Sequence, residues 1–245
     1  MRRGLRVVLG APLLLSTVLV SGAGAQEEVL CEVGPGVEVP ATIVGAGLIF
    51  GTEGPDVIVG SPGRDIIYAG GGDDAVCGLG GNDVVYGGDG DDVVNTADID
   101  RPPFAATGSN DVIILGPGND LAFAGAGTDY VLGEEGDDEL IGTGGDDFML
   151  GGPGNDTIFG GPGNDRVLGQ EGNDTLWGNF GSDTLLGGPG DDTLDGDNPF
   201  TAPPGTPPLG DGSDYCDGGD GDDEVFNCEG GDPSEDREPV DPPFL

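Results

Sequence analysis

Large apolar side chains recur every nine residues along most of the chain, separated by glycine and aspartate. The series begins at Ile58 and Ile67 and continues, with two interruptions, to Val225. Residues that favour β-structure often flank the apolar position, as in Thr157-Ile158-Phe159. Such segments are too short for independent strands, which average about 5–6 residues. The pattern therefore predicts many short strands that become stable only when neighbouring copies pair.

An aspartate lies two residues before each of these apolar positions. A glycine precedes each aspartate by two residues, except that Ser109 takes this place before Asp111. The most regular units, such as residues 151–159, read Gly-Gly-x-Gly-x-Asp-x-U-x, where U is a large apolar residue. We number these positions 1 to 9, so the aspartate is position 6 and U is position 8. Seventeen aspartates share this period: Asp56, Asp65, Asp74, Asp83, Asp92, Asp111, Asp120, Asp129, Asp138, Asp147, Asp156, Asp165, Asp174, Asp183, Asp192, Asp214 and Asp223.

This unit resembles the nonapeptide of the repeats-in-toxin (RTX), or hemolysin-type, calcium-binding family, and the resemblance extends over residues 56–226. The resemblance implies an all-β fold, a right-handed parallel β-roll with two sheets of short strands. It also implies several bound Ca²⁺ ions, with the position-6 aspartates of all 17 units as metal ligands.

The chemistry of the turns is consistent with this resemblance. Glycine at positions 1, 2 and 4 permits backbone conformations with positive φ that other residues resist. If two units form one coil, equivalent turns recur once per pair of units and stack about 4.8 Å apart. Each edge then presents rows of carboxylate and carbonyl oxygens, which suit Ca²⁺ better than Mg²⁺ or Zn²⁺. The acids at position 5, such as Asp73, Asp91 and Asp222, are expected to be solvated.

Such a fold has little apolar interior of its own. Each unit buries one side chain, and that burial does not offset the entropy lost when nine residues become ordered. Repulsion among the aspartates opposes folding further. We therefore expect the calcium-free chain to be expanded and the binding of calcium to fold it.

The composition excludes many functions. The chain of 245 residues has 47 acidic residues against seven arginines and no lysine, for a formal net charge of −40. This charge repels nucleic acids and anionic membranes, so neither a nucleic-acid partner nor membrane insertion is expected. The absence of histidine and lysine removes Ser-His-Asp and Cys-His sites, imidazole metal sites and the phosphate-loop lysine. We expect no enzymatic activity.

The N-terminal segment up to Ala25 has the features of a secretory signal peptide. Three arginines within the first six residues precede an apolar run over residues 7–20, and Ala23-Gly24-Ala25 follows as a cleavage site. The run is shorter than the ~20 residues that span a bilayer. We expect cleavage after Ala25 and a secreted, extracellular protein, with attachment at the cell surface as an alternative.

Four cysteines lie in two pairs, one near each end of the repeats, and allow three disulfide pairings. For a secreted chain we favour Cys31–Cys77 and Cys216–Cys228, because each bond would hold one end of the roll. The cysteines lack the C-x-x-C spacing that a redox or metal-binding pair uses.

The interruptions of the repeat divide the chain into segments. We expect a signal peptide at 1–25, an N-terminal capping segment at 26–50, a first repeat block at 51–95, a loop insertion at 96–106, a main repeat block at 107–195, a proline-rich loop insertion at 196–210, last repeats with a C-terminal cap at 211–228, and a disordered acidic tail at 229–245.

Positions 7 and 9 alternate with position 8 and should lie on the outer faces of the sheets. One face then carries an apolar series from Val112 to Leu186, and the other carries Phe123, Phe159 and Trp177 beside the threonine row Thr157, Thr175 and Thr193. An apolar outer face of this size suggests self-association or docking of a carbohydrate or cell-wall polymer, although strand preference alone also explains such residues.

These observations predict a secreted calcium-binding β-roll protein that folds on calcium and acts as a structural or adhesive module, or as a calcium buffer. Two alternatives stay open. One is a non-catalytic remnant or accessory of a secreted hydrolase, and the other is a surface protein that binds carbohydrate or ice.

Overall fold

The computed structural model describes residues 30–34, 37–97, 108–197 and 213–228. Within these ranges there is no helix, and therefore none that is long and apolar enough to cross a bilayer. The predicted leader, most of both predicted insertions and the predicted tail lie outside the described residues. The strands are β1 (Leu30–Gly34), β2 (Val37–Pro40), β3 (Ile43–Val44), β4 (Leu48–Phe50), β5 (Val57–Val59), β6 (Ile66–Gly71), β7 (Ala75–Cys77), β8 (Val84–Asp89), β9 (Val93–Asn95), β10 (Val112–Ile114), β11 (Leu121–Ala126), β12 (Tyr130–Leu132), β13 (Glu139–Gly144), β14 (Phe148–Pro153), β15 (Thr157–Pro162), β16 (Arg166–Glu171), β17 (Thr175–Phe180), β18 (Thr184–Pro189), β19 (Thr193–Asp197), β20 (Tyr215–Asp220) and β21 (Glu224–Phe226).

Successive strands alternate between two parallel sheets. The even-numbered strands from β4 to β20 form a nine-stranded sheet, and the odd-numbered strands from β3 to β21 form a ten-stranded sheet. Val167 pairs with Leu185 in the first sheet, and Leu176 pairs with Leu194 in the second, so each residue pairs with its equivalent two nonapeptides later. Two nonapeptides therefore form one coil. The prediction of an all-β solenoid of the parallel β-roll type is confirmed.

Each sheet contributes a single layer of side chains to the interior of the roll. Position-8 residues of the main repeat block, from Ile113 to Leu194, are 0 % exposed and form one continuous apolar cluster. Strand β17 shows the alternation: Thr175 and Trp177 are half-buried on the outside, and Leu176 between them is buried. The core therefore depends on the nine-residue apolar period that the sequence displays.

Both interruptions of the repeat preserve the register of the sheets. Val84 pairs with Val112 across the first interruption, and Thr184 pairs with Tyr215 across the second. Each of these pairs joins the same repeat positions as the pairs within an uninterrupted coil, so the sheets keep one register on both sides of each interruption. Just before the first interruption, the backbone N–H of Thr96 donates to the Phe123 carbonyl oxygen at 3.0 Å.

An antiparallel hairpin precedes the roll and was not apparent from the sequence. Strands β1 and β2 pair with each other, and Cys31 lies in a buried cluster with Val59, Cys77 and Leu79. Val59 and Cys77 occupy position 9 of the ten-stranded sheet, so the hairpin packs on the outer face of that sheet. The roll itself begins at β3.

The two favoured disulfides are confirmed. The Cys31–Cys77 bond joins the hairpin to strand β7 of the ten-stranded sheet. The Cys216–Cys228 bond joins strand β20 to the residues that follow β21, and Cys228 packs against the apolar interior. Each bond therefore closes one end of the repeat region.

The outer faces carry the rows that the sequence predicted, with one correction. The apolar series from Val112 to Leu186 lies half-buried on the nine-stranded sheet, and Thr157, Thr175 and Thr193 pair in register on the other. Phe123, expected at the surface, is only 6 % exposed, whereas Phe159 and Trp177 in the same row are half-buried.

Truncation of one interior side chain should destabilise the roll far more than truncation of its outward neighbour. Leu176→Ala removes a fully buried side chain that lies between Ile158 and Leu194, and the cavity should lower the free energy of unfolding by about 3 kcal/mol. Thr175→Ala should change it by less than about 1 kcal/mol. Urea denaturation in saturating calcium measures both, and equal effects would contradict a single-file core.

Candidate metal-binding turns

The 17 aspartates of position 6 stack in two rows, one along each edge where the chain passes between the sheets. Sixteen of them are buried, and the exception is Asp223 in the last coil. The first row is Asp56, Asp74, Asp92, Asp120, Asp138, Asp156, Asp174, Asp192 and Asp223, and the second is Asp65, Asp83, Asp111, Asp129, Asp147, Asp165, Asp183 and Asp214. The structure thus brings every predicted ligand residue into one of two lines.

Within each row, one carboxylate oxygen is used to hold successive coils together. The backbone N–H of Asp138 donates to Oδ1 of Asp156 in the next coil at 2.9 Å, and the N–H of Asp147 donates to Oδ1 of Asp165 at 2.8 Å. The same bond recurs along both rows at 2.6–2.9 Å and also crosses both interruptions. These charge-assisted bonds fix the spacing of the carboxylates.

The second carboxylate oxygen of most row aspartates has no donor. Among the described residues, Oδ2 is buried without a hydrogen-bond partner in Asp74, Asp92, Asp120, Asp129, Asp138, Asp147, Asp156, Asp165, Asp174 and Asp192. A buried carboxylate oxygen normally accepts a hydrogen bond or binds a cation, because otherwise desolvation is uncompensated. The repeated exception indicates a missing positive partner along both rows.

The first two aspartates differ from the others. Oδ2 of Asp56 accepts hydrogen bonds from the N–H and hydroxyl of Thr52, at 2.7 and 2.8 Å. Oδ2 of Asp65 accepts from the N–H and hydroxyl of Ser61, at 2.6 and 3.0 Å. Position 2 therefore supplies a partner in these two units, whereas Thr143, which has positive φ at the same position of a later unit, leaves Asp147 Oδ2 without one.

Glycine at position 1 makes room for the unpartnered oxygen. A methyl group on Gly142 would lie 2.5 Å from Asp147 Oδ2 and 2.5 Å from the carbonyl oxygen of Gly160 in the next coil. A methyl group on Gly160 would lie 2.5 Å from Asp165 Oδ2 and 2.8 Å from the Gly178 carbonyl oxygen. Carboxylate and carbonyl oxygens of adjacent coils thus converge on the space that a side chain would fill.

This finding corrects the expectation that position 1 needs a positive φ. The left-handed conformation occurs at position 2 of the complete described units except at Thr52 and Ser61, and at most position-4 glycines, whereas no described position-1 glycine, such as Gly142, adopts it. From Gly70 onward, position 2 of these units keeps positive φ even without glycine, with φ of 77° at Glu134 and 89° at Thr143. Glycine at position 1 therefore provides space in most units, although Ala69, Leu115 and Ala124 hold this position in three units and belong to the apolar core. Glycine at position 2 provides the conformation.

Burial raises the pKa of nine row aspartates well above the ordinary value of 3.8. The pKa is about 8 for Asp120 and Asp147, and about 6 for Asp138 and Asp174. It is about 7 for Asp92, Asp129, Asp156, Asp165 and Asp192. Loss of hydration is the main cause, the backbone hydrogen bond from the adjacent coil opposes it, and repulsion from neighbouring aspartates adds in most cases. Without a cation, the ionised rows oppose folding.

The acids and amides of position 5 are exposed, as the sequence predicted. The N–H of Asn155 donates to Oδ1 of Asp137 at 2.8 Å, and the N–H of Asp137 donates to Oδ1 of Asn119 at 2.8 Å. These bonds run along each edge in the opposite sense to those of position 6. Position 5 therefore supports the turn from outside, where water also reaches its side chains.

The oxygen atoms of the rows suit a hard cation. Within the described residues, no group of three or more His, Cys, Asp or Glu side chains lies together, so a site on the rows must combine few carboxylates with backbone carbonyls. All four cysteines are in disulfides, and the chain has no histidine, which leaves only oxygen ligands. Such sets favour Ca²⁺, which tolerates irregular geometry and accepts backbone oxygens.

The raised pKa values predict that acid favours the calcium-free fold. The folded aspartates hold protons that the unfolded chain, with pKa near 3.8, has released, so the free energy of unfolding falls as pH rises from about 4 to about 8. Calcium-free protein should therefore gain β-structure when pH is lowered through this window, as measured by far-UV circular dichroism in EDTA. Loss of β-structure on acidification would contradict it.

A methyl group at position 1 should displace a row carboxylate, and one at position 3 should not. Gly142→Ala would crowd Asp147 Oδ2, whereas the nearest atom to a methyl on Gly144, the Pro162 carbonyl oxygen, lies 3.8 Å away. Gly142→Ala should lower calcium affinity and the thermal midpoint in calcium, by several degrees for a loss of about 1–2 kcal/mol. Gly144→Ala is the matched control, and equal effects would reject the role assigned to position 1.

Comparison with protein families agrees with this geometry. The model of the RTX calcium-binding nonapeptide repeat matches residues 50–85, 78–98, 106–140, 132–167, 141–176, 168–198 and 209–225. A search of curated proteins finds no match. The family model covers more than half of the chain, and repeats of this family bind calcium. The chain therefore belongs to the RTX calcium-binding nonapeptide repeat family and is a calcium-binding β-roll protein.

Proposed function

We propose that this protein is a secreted, non-catalytic module that calcium folds into a rigid roll, and that this roll serves a structural or adhesive role outside the cell. The unpartnered Oδ2 atoms along both rows carry the proposal, because they leave the fold incomplete without a cation. A calcium-buffering role uses the same sites. Candidate sites along the edges of most coils instead favour a structural role, since binding and folding would then be one event.

Each residue of one turn has a separate role in the candidate metal site. Oδ1 of the position-6 aspartate accepts the N–H of the preceding coil, position 1 leaves space, and Oδ2 faces that space. Bound calcium would supply positive charge that offsets both the lost hydration and the repulsion between stacked carboxylates. We propose that the carboxylates of both rows and the adjacent turn carbonyls hold it.

Among the 17 aspartates, the ten whose Oδ2 lacks a donor are the strongest candidates for calcium ligands. They run from Asp74 to Asp192 along both rows. Asp56 and Asp65 are weaker candidates, because Thr52 and Ser61 already donate to their Oδ2 atoms. We propose that these two stabilise the coil of β5 and β6 by hydrogen bonds and that calcium begins to bind at the following coil.

Secretion is supported by two features of different kinds. The N-terminal residues have the pattern of a cleavable leader, and all four cysteines form disulfides, which persist in oxidising compartments. Extracellular calcium is millimolar in many settings, in the range where extracellular modules bind it, with dissociation constants of about 10⁻⁴ to 10⁻³ M. The roll would therefore fold after export.

A carbohydrate-binding role has weaker support. Phe159 and Trp177 stack at 4.4 Å on the outer face, but their in-register neighbours are Ile141 and Asp195. The row of outward side chains therefore continues beyond both rings. Because Ile141 and Asp195 flank the two rings, neither ring lies at the end of the row, where a sugar could stack on its face. The lack of histidine and lysine likewise favours a role without catalysis.

Removal of one row carboxylate should weaken calcium-driven folding, and removal of its neighbour should not. Asp138→Asn alters a buried carboxylate whose Oδ2 lacks a donor, whereas Asp137→Asn changes the charge of an exposed residue one position earlier. In a calcium titration followed by circular dichroism and hydrodynamic radius, wild type should compact cooperatively. Asp138→Asn should shift the midpoint upward several-fold, and Asp137→Asn by less than about two-fold.

Magnesium at the same concentrations is the control for general screening of charge. Compaction by calcium but not by magnesium supports specific sites. An unchanged spectrum on addition of calcium would overturn folding by calcium, and equal shifts for the two variants would overturn the assignment of the buried row.

A further inference from the structure

The most exposed apolar side chains of the roll are concentrated at its ends. Of the seven exposed large hydrophobic residues among those described, five lie in the first or last coil, and the others are Tyr68 and Phe180. The three most exposed all belong to β3 and β4 of the first coil: Val44 at 57 %, Leu48 at 59 % and Phe50 at 61 %. Leu48 and Phe50 lie on the outer face of the nine-stranded sheet and Val44 lies on the outer face of the other sheet. Single exposed apolar residues are ordinary, but exposure on both faces of one coil indicates an interaction surface at this end of the roll.

The first coil is also the one uncharged part of the repeat stack. Residues 39–52 contain no charged side chain, and Ala41 and Gly47 occupy the places of the row aspartates, as the pairings of β3 with β5 and β4 with β6 show. The last coil is strongly acidic, with Asp214, Asp217, Asp220, Asp222, Asp223 and Glu224. One end of the roll is therefore neutral and apolar, and the other repels anions.

The first coil presents open strand edges beside these side chains. Within the described part of the chain, strands β3 and β4 stand last in their sheets and pair on one side only, with β5 and β6. Phe50 also ends a ladder of stacked rings, 5.4 Å from Tyr68, which lies 4.6 Å from Tyr86. Backbone N–H and C=O groups of an open edge pair readily with another strand. The interior is already closed here, since Ile49 is 4 % exposed.

We propose that two copies of this protein associate through their first coils, end to end, about a two-fold axis perpendicular to the roll. The axis runs the edge strands of the two copies antiparallel and brings the exposed side chains of both first coils to the interface, Leu48 and Phe50 on one sheet and Val44 on the other. An interface of this kind is self-complementary and closed, so it gives a dimer and no fibre.

Charge selects this arrangement over the other ways of stacking two rolls. Contact between two last coils would bring together six carboxylates from each copy. A head-to-tail stack would continue the register of the nine-stranded sheet and place Asp217 of one copy over Phe50 of the next. Contact between two first coils buries no carboxylate of either coil. In a chain with net charge −40, that is the approach with the least repulsion.

The proposal rests on the folded roll and not on which residues bind calcium. Its interface is small, with two short edge strands from each copy, so we expect weak and concentration-dependent association. Sedimentation equilibrium of the protein in saturating calcium should show the average mass rising toward twice the monomer mass between about 10 µM and 1 mM.

Matched substitutions at the two ends identify the interface. Phe50→Asp introduces a carboxylate at the first coil, and Phe226→Asp makes the same change at the last coil, where Phe226 is 47 % exposed. Phe50→Asp should weaken association at least tenfold, and Phe226→Asp should leave it unchanged. Val44→Asp, on the other sheet, is a second variant in case Phe50→Asp fails to fold, which circular dichroism in calcium reports.

Three results would overturn the proposal. They are a monomer at all concentrations, a loss of association with Phe226→Asp, and association that survives Phe50→Asp and Val44→Asp in variants with the wild-type spectrum. A loss with variants at both ends would indicate head-to-tail stacking. Because every measurement is made on folded protein, failure of the dimer is distinct from failure of folding by calcium.

Discussion

The burial of two rows of carboxylates is the constraint on which the rest of this structure depends. Every row aspartate except Asp56 uses Oδ1 to accept an N–H from the adjacent coil, and this bond sets the distance between coils. The same bond draws Oδ2 out of water with no donor beside it in ten of the aspartates described. The fold and the metal site thus depend on the same side chain. When Oδ1 accepts the hydrogen bond that orders the turn, Oδ2 is buried and needs a cation as its partner.

The thin interior explains why the turns matter so much. A globular domain buries many side chains per element, whereas most nonapeptides of this roll bury a single apolar side chain, as Leu176 and Leu185 illustrate. Stability must therefore come from the backbone ladders and from the turns between them. The position-1 glycines belong to that contribution, since a side chain on Gly142 would occupy the space in which Asp147 Oδ2 meets the carbonyl oxygen of Gly160.

The two ends of the roll are capped in different ways. At the start, Thr52 and Ser61 satisfy the first two carboxylates, and a disulfide-anchored hairpin covers part of the ten-stranded sheet. At the other end, Cys216 and Cys228 close the interior, while Val225 at a core position remains 41 % exposed. The first coil is uncharged and the last coil is acidic, so the two ends of the roll differ in charge. This difference is the basis of the proposed dimer.

The sequence by itself determined the repeat, the parallel β-roll, the two rows of aspartates and the calcium chemistry, because each follows from a strict nine-residue period. It also favoured the correct disulfides, since two cysteines lie near each end. Tertiary structure alone decided the rest. The hairpin has no repeat to reveal it, and Phe123 is buried although its row faces outward. The reason for glycine at position 1 lies in atoms of the next coil, which no local pattern displays. Register across the interruptions was likewise set by pairing between coils, because ladder hydrogen bonds constrain where a loop rejoins the roll and not how long it is.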